Sequence, residues 1–340
     1  MERSRDDLRT SALGLLWAQW TEIGVAGTVG SGRTVVDPEA MLVATLSFGR
    51  QDPRLFDEVL DWLLLNGRLL DVTRLRRILK SASAEVQDLA AVMIELLQTR
   101  VEGSKWNPLS EMWHARESRA AYAPSALFRD SSGDQMPSFG ETDPFFAERG
   151  YVRPPLALRG MSTHPRTDLS ASSRFAARAL CGIGVRAETL LYLWTHETAH
   201  GRLIASRTAY SQRQVAEYLA GLAEAGFAQR YEVGRSVQYR LVPEAQWAPA
   251  GGSAYVDWMS AFGALEALHA GVDLAARAES AYEASVAVRS ALRELAAALP
   301  IEGMDIPLPT VDAFPGEAVL EHATQVVDGA CKVLREYSAR

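Results

Sequence analysis

The sequence predicts a mainly α-helical protein whose centre holds three helices followed by a β-hairpin. Three observations support this fold class. Apolar residues recur at helical spacing over long stretches on both sides of the centre. Residues 211–226 carry a complete set of signals for the start and the end of a helix. Directly after them, the apolar spacing changes to a period of two, which is typical of strands.

Residues 1–102 are predicted to form an N-terminal helical domain. Two of its helices begin in the same way, at Asp37 and at Asp52, each followed by a proline. Aspartate caps a helix N-terminus well, and proline suits the first helical position because its missing N–H is not needed there. A longer helix follows over residues 86–97, with its apolar residues on one face.

A stretch without sustained hydrophobic periodicity separates this domain from the rest of the chain. Residues 103–171 contain seven prolines and read as a linker or an irregular arm. The aromatic residues of this arm indicate that it is docked on its neighbours, because disordered segments are poor in aromatics; they are Trp106, Trp113, Phe128, Phe139, Phe145 and Phe146. Residues 172–247 then form the central unit, and residues 250–340 form a C-terminal helical region with a break between prolines 300 and 315.

The best-defined helix of the chain lies in the central unit. Ser211 is its predicted N-cap, and Gln214 three residues later completes a capping box. Tyr210 and Val215 occupy the two positions of a hydrophobic staple. Gly226 ends the helix as its C′ residue. Helices over 185–195 and 201–208 precede it, and two alternating strands joined by a turn at 234–235 follow it.

Three helices and a hairpin in this order form a winged helix-turn-helix. The residues that carry the pattern are Ile204, Ala205, Thr208, Ala209, Tyr210, Ser211, Val215, Leu219, Leu222, Gly226 and Phe227. Over about 60 of the 340 residues, the segment resembles the winged-helix transcription regulators of the ArsR/MarR type. Ala209 departs from the pattern, because such turns often carry glycine. The resemblance implies binding of double-stranded DNA by a transcriptional regulator.

The third helix would enter the major groove and present its first residues to the base edges. Arginine pairs bidentately with guanine and glutamine with adenine, whereas wing arginines suit phosphates or the minor groove. The predicted contacts of the third helix are Ser211, Gln212, Arg213, Gln214 and Glu217. The predicted contacts of the second helix and the wing are Arg202, Arg207, Arg230, Arg235 and Arg240.

The charge of the chain is distributed unevenly, which agrees with a local DNA contact. The whole chain carries a net charge of −7. Residues 172–241 nevertheless contain nine arginines against five glutamates, whereas residues 250–340 contain six basic and thirteen acidic residues. This contrast predicts one DNA-binding surface on a body that otherwise repels DNA.

Two other interpretations compete with this reading of the sequence. Winged helices also serve as protein–protein adaptors that bind no DNA, and arginines often only solubilise a helix face. In addition, Arg74, Arg76, Arg77 and Lys80 lie on a short basic helix, which either belongs to a second helix-turn-helix over residues 37–80 or forms a solvated helix face.

A third interpretation is enzymatic. His196, Glu197 and His200 match the H-E-x-x-H motif of zinc metallopeptidases, which needs both histidines on one helix face. The metzincin extension is lacking, since Leu203 and Ser206 occupy the positions of its glycine and third histidine. We therefore expect residues 196–200 to be the junction between two helices, with no metal, no cofactor and no enzymatic activity.

Composition sets the remaining expectations. No apolar run approaches the roughly 20 residues of a membrane span, and the first residues lack the apolar core of a signal peptide, so a cytoplasmic location is expected. The two cysteines form neither a disulfide framework nor a cysteine-rich zinc site. The long apolar stripes of residues 254–337 predict a homodimer, whose twofold axis would match a palindromic site.

Overall fold

Helices dominate the protein, as the sequence predicts. The computed structural model describes residues 1–27, 32–100, 105–110, 124–130, 132–136, 140–243 and 252–339. The helices of the N-terminal half are α1 Glu2–Glu22, α2 Pro38–Phe48, α3 Pro53–Asn66, α4 Val72–Leu79, α5 Ala84–Arg100, α6 Asn107–Ser110 and α7 Pro144–Ala147. Those of the C-terminal half are α8 Ser173–Cys181, α9 Val185–Thr195, α10 Gly201–Thr208, α11 Gln212–Glu224, α12 Trp258–Arg277, α13 Ala281–Ala298 and α14 Ala318–Ser338.

Strands contribute two small sheets to the described residues. Strands β1 Ser125–Ala126 and β2 Tyr151–Val152 pair in parallel. Strands β3 Ala228–Val233 and β4 Ser236–Leu241 form an antiparallel hairpin, with Val233 opposite Ser236 at its turn. The second sheet is the predicted hairpin that follows the three central helices.

The predicted helix starts at Asp37 and Asp52 are confirmed. The Asp37 carboxylate accepts a hydrogen bond from the Ala40 backbone N–H at 3.1 Å, and the Asp52 carboxylate accepts one from the Leu55 N–H at 3.0 Å. Each proline then occupies the first helical position. The short side chain of aspartate therefore fixes where both helices begin.

One hydrophobic core joins the two flanks that the sequence treats as separate regions. Helix α1 packs against α14 and α12, while α2 packs against α1, α4, α5 and α12. Leu15, Trp20, Leu265 and Val327 are completely buried in this shared core. Periodicity shows that each helix has an apolar stripe, but it does not show which stripes face each other. Most apolar residues of the C-terminal helices are therefore buried within one chain, although Leu274, Tyr282 and Val286 are exposed, and the homodimer stays a prediction.

The proline-rich arm is docked where the structure describes it. Trp106, Phe128 and Phe146 are buried against the shared core. The Arg153 guanidinium binds both carboxylate oxygens of Asp57 on α3, at 2.8 Å each. Two other aromatic residues on which the prediction rested, Trp113 and Phe139, lie outside the described residues. The arm thus adds buried aromatic area and a partly buried ion pair to the N-terminal helices.

The hydropathy of the helices bears on membrane association. Within the part of the chain that the structure describes, no helix combines the length and the apolar character needed to cross a bilayer.

Candidate nucleic-acid interface

Helices α9, α10 and α11 and the β3–β4 hairpin share a core of their own. Tyr192, Ile204, Val215 and Leu219 are completely buried in it, and Leu241 at the end of the hairpin closes one side. The Ala199 N–H donates to the Tyr239 carbonyl at 3.0 Å, and the Tyr239 N–H donates back at 2.8 Å. The segment between α9 and α10 therefore holds the hairpin against the helices, and the opposite faces of α11 and the hairpin are left exposed.

The start of α11 is built largely as the sequence predicts. Ser211 is the N-cap, and its hydroxyl oxygen accepts a hydrogen bond from the Gln214 N–H at 3.3 Å. The reciprocal half of the capping box differs, because the Ser211 hydroxyl donates to the Gln214 side-chain oxygen at 2.8 Å. Ala209, just before the helix, adopts a left-handed backbone with φ +58°, which is the reason why glycine is usual there.

The end of α11 also agrees with the sequence. The helix stops at Glu224, and Gly226 follows with φ +76°, the left-handed conformation of a C′ residue. The Phe227 N–H then donates to the Leu222 carbonyl at 2.8 Å. The length and the register of this helix are therefore determined by local signals.

The predicted base-reading residues lie on the exposed first turns of α11. Ser211, Gln212, Arg213, Gln214 and Glu217 are all exposed. The Arg213 guanidinium donates to the Glu217 carboxylate at 2.8 Å across one helical turn. The Arg213 side chain is 88% exposed, so this pair is a weak surface contact that a stronger partner can replace.

The three wing arginines do not share one face of the hairpin. Arg235 lies at the two-residue turn after Gly234, whose φ is +61°. Arg240 stands opposite Gln229 and donates to its side-chain oxygen at 2.7 Å. Arg230 is the next residue after Gln229, and because side chains alternate along a strand it points to the other face. The hairpin therefore does not bring Arg230 and Arg240 to the same ligand.

The two arginines predicted on α10 differ in their surroundings. Arg202 is exposed. The Arg207 guanidinium is held at 2.8 Å by the Asp257 carboxylate and at 3.0 Å by the Glu302 carboxylate, and its side chain is 23% exposed. A contact between Arg207 and a phosphate would require these two ion pairs to break. Arg207 is therefore better described as a link between α10 and the C-terminal region.

The H-E-x-x-H residues form a junction between two helices, as the sequence predicts. His196 follows the last residue of α9 in an extended conformation, and its Nε2 lies 2.5 Å from a Glu302 carboxylate oxygen. His200 is the N-cap of α10, and its Nδ1 accepts a hydrogen bond from the Leu203 N–H at 3.1 Å. Each ring has its own role at a helix end. Among the described residues, no group of three or more His, Cys, Asp or Glu side chains is placed to hold a metal ion.

Glu302 is the centre of a polar cluster between α9, α10 and α12. Besides His196 and Arg207, the Tyr192 hydroxyl donates to its carboxylate at 2.8 Å. Burial by itself raises the pKa of Glu302, but the hydrogen bonds from His196 and Tyr192 outweigh it, and the pKa lies below its ordinary value of 4.5. Because the folded-state pKa is lowered, the stabilisation from Glu302 is complete above about pH 4.5 and is lost as the pH falls below that value.

We expect Glu302→Gln to lower the free energy of unfolding by about 1–3 kcal/mol at pH 7, because three donors lose a charged acceptor. The difference from wild type should shrink below about pH 4.5, where Glu302 itself takes up a proton. Urea unfolding at pH 7 and at pH 3.5 measures both values. Glu321→Gln, at an exposed position on α14, is the matched control. A difference that stays constant over this pH range would contradict the assigned role of the carboxylate.

A buried ionic network attaches helices α8 and α9 to the N-terminal helices α2 and α4. Its arginines are Arg74 on α4 and Arg174 and Arg178 on α8, and its carboxylates are Asp37, Glu39 and Glu188; each is at most 4% exposed. The Arg178 guanidinium bonds to both Glu39 and Glu188, at 2.8 Å each. The Arg174 guanidinium donates to Glu188 as well. Three positive and three negative charges are thus balanced without water-exposed partners.

This network changes the interpretation of the local charge. Arg174 and Arg178 are two of the nine arginines counted over residues 172–241 as evidence for a DNA-binding surface. In the structure both are buried and paired with carboxylates. The exposed arginines of residues 172–241 are Arg186, Arg202, Arg213, Arg230, Arg235 and Arg240. Sequence reasoning missed the network because its acidic partners Asp37 and Glu39 come from a distant segment, where they look like an ordinary helix start.

The basic helix predicted near residues 71–80 is α4, and it touches the start of α11. Arg74 faces the core, where its Nε donates to the Thr208 carbonyl at 3.2 Å. The Arg77 Nη1 donates to the Ala209 carbonyl at 2.5 Å, and its guanidinium stacks on the Tyr210 ring at 4.7 Å. Helix α4 therefore contacts the segment that leads into α11, and Arg77 is partly buried there.

Comparison of the chain with protein-family models, with curated proteins and with solved structures finds no match.

Proposed function

We propose that the protein is a transcriptional regulator that binds double-stranded DNA through a winged helix-turn-helix over residues 185–241. The order of α9, α10, α11 and the hairpin supports this reading, and so does the exchange of hydrogen bonds between Ala199 and Tyr239, which ties the wing to the helices. In this proposal α11 is the recognition helix and the β3–β4 hairpin is the wing.

The single observation that carries the proposal is the exposed polar start of α11. Val215, Leu219 and Leu222 on one side of the helix are buried, so the helix is firmly seated. Gln212 and Arg213 on the other side are exposed and stand at the N-terminal end, where a recognition helix meets the base edges. Both residue types make bidentate contacts with purines.

Arg235 supports the proposal from the wing. It is exposed at the tip of the hairpin, a position from which a cation reaches a phosphate or the minor groove beside the recognition helix. The acidic C-terminal region offers little non-specific attraction to DNA, so binding should depend on a few local cations.

The test begins with wild-type protein and a pool of random duplexes, from which bound sequences are selected and then titrated between 50 and 200 mM salt. We expect Arg235→Ala to weaken binding to every sequence and to reduce the slope of log affinity against log salt by about one unit, the value for one phosphate contact. Lys332→Ala, at an exposed position on α14, should leave the slope unchanged.

A protein–protein adaptor predicts a different result. Wild type would then bind no duplex at low salt, and no variant would change that. This outcome would reject the proposed function.

The proposal places the protein in the cytoplasm, together with the DNA that it would regulate. A homodimer stays a prediction without an assigned surface, and light scattering that gives a monomer at micromolar concentration would contradict it.

A further inference from the structure

The exposed surface at the C-terminal end of α4 is basic, whereas the exposed residue near its start is Thr73. Arg76 and the C-cap residue Lys80 are exposed one helical turn apart, and the partly buried Arg77 lies beside them. The opposite face is filled by Leu75, Leu79 and the buried Arg74. Among the described residues, neither Arg76 nor Lys80 takes part in an ion pair. Arg76 and Arg77 stand in the last turn of α4 and Lys80 is its C-cap residue, where the helix dipole favours positive charge. Arg77 also packs on Tyr210, whereas Arg76 and Lys80 are left exposed to solvent.

Arg77 fixes this face beside the start of α11. Besides its contacts with Ala209 and Tyr210, its Nη2 lies 3.4 Å from the Gln214 side-chain oxygen. Gln214 belongs to the first turn of the proposed recognition helix. The basic face of α4 is therefore continuous with the exposed residues of that turn.

Arg186 on α9 adds a further positive charge near the first turn of α11. An open cavity of ≈ 560 Å³ separates the start of α4 from the start of α9, and its walls include Thr73, Arg186 and Gln214. Arg186 is exposed on the first turn of α9. Cations from α4 and α9 thus lie near the N-terminal end of α11, although they are more than 100 residues apart in sequence.

We propose that the basic face of α4, formed by Arg76, Arg77 and Lys80, contacts the phosphates that flank the DNA site read by α11. The proposal rests on the proposed function and extends it, because it assigns a DNA contact to the N-terminal part of the chain. Arg77 is already bound to backbone and to Tyr210, so this face positions the duplex and does not read bases. A row of lysine and arginine side chains without acidic partners suits a regularly spaced polyanion.

The double variant Arg76→Ala, Lys80→Ala tests the proposal in the full-length protein. It is expected to fold like wild type, since both side chains are exposed. We expect a loss of affinity of about 10–100-fold at 0.1 M salt, equal for cognate and unrelated duplexes, and a salt slope smaller by about two units. Hydroxyl-radical footprinting should show loss of protection on one flank of the site, with the preferred base sequence unchanged.

The matched control is Lys332→Ala, Arg335→Ala, two exposed cations one turn apart on α14, for which affinity and slope should equal those of wild type. An α4 variant with the wild-type slope and footprint would overturn the inference while leaving the proposed function intact. Tighter binding by the α4 variant would also overturn it, because α4 would then obstruct the duplex. Wild type that binds no duplex at all would reject the proposed function, and the α4 contact with it.

Discussion

Replacing Arg74 by methionine is expected to lower the free energy of unfolding by about 3–5 kcal/mol, the usual cost of removing one partner from a buried ion pair. Arg74 is completely buried, and its Nη1 donates to Asp37 at 2.5 Å and to Glu39 at 2.9 Å. Methionine fills a similar volume but leaves two buried carboxylates with fewer donors and the Thr208 carbonyl without its Arg74 donor. Urea unfolding at pH 7, followed by circular dichroism, measures the loss.

The pKa of Asp37 supplies a second readout for this variant. Burial raises the pKa of Asp37, but the charges of Arg174 and Arg74 outweigh it and hold the pKa below its ordinary value of 3.8. The stabilisation from Asp37 is therefore present above about pH 3.8 and is lost as the pH falls below that value. Without Arg74 the pKa of Asp37 should rise, so the variant should begin to lose stability at a higher pH than wild type.

Arg76→Met is the control for Arg74→Met, because it makes the same substitution two positions along α4 at an exposed site. Its effect should stay within about 0.5 kcal/mol. Arg74→Lys keeps the charge but loses the forked geometry, and we expect an intermediate value. If Arg74→Met and Arg76→Met changed the free energy of unfolding equally, the ionic network would not be what holds α8 and α9 on the N-terminal helices.

Arg213→Ala should weaken binding to the cognate duplex by about 1–3 kcal/mol, or roughly 5–150-fold, and relax the preference at one base pair. Among the described residues, the contact that the Arg213 side chain gives up is the exposed pair with Glu217, which is weak because both side chains lie in solvent. The folding stability should therefore change little. Titration against the cognate site and against single-base-pair variants of it measures both effects.

Glu224→Ala, at the exposed last turn of the same helix, is the control for Arg213→Ala and should bind like wild type. An equal loss of affinity on all sequences after Arg213→Ala would show that α11 does not read bases with this residue.

Local structure was predictable wherever a few neighbouring residues determine it. The capped starts at Asp37, Asp52 and Ser211, the glycine end of α11 and the two-residue turn of the hairpin each depend on contacts within about five residues. The junction over His196–His200 was predictable as well, because the neighbouring helix signals leave no room for one continuous helix.

Long-range pairing was not predictable from one sequence. Whether an arginine faces solvent or a buried carboxylate depends on which distant segment lies opposite. Arg74, Arg76 and Arg77 are therefore alike in the sequence, whereas in the structure one is buried in an ionic network, one is exposed and one stacks on Tyr210. Arg207 differs from Arg202 for the same reason, since Asp257 and Glu302 come from the C-terminal region.

The sequence by itself determined the helical class, the order of the central elements and the polar first turn of α11, because hydrophobic period and capping are properties of short stretches. The tertiary structure alone decided that α1, α12 and α14 share one core and that α4 lies against the start of α11. It also decided which arginines remain exposed for a partner. These features arise from packing and charge balance between segments far apart in the chain, and each segment's own pattern is compatible with several partners.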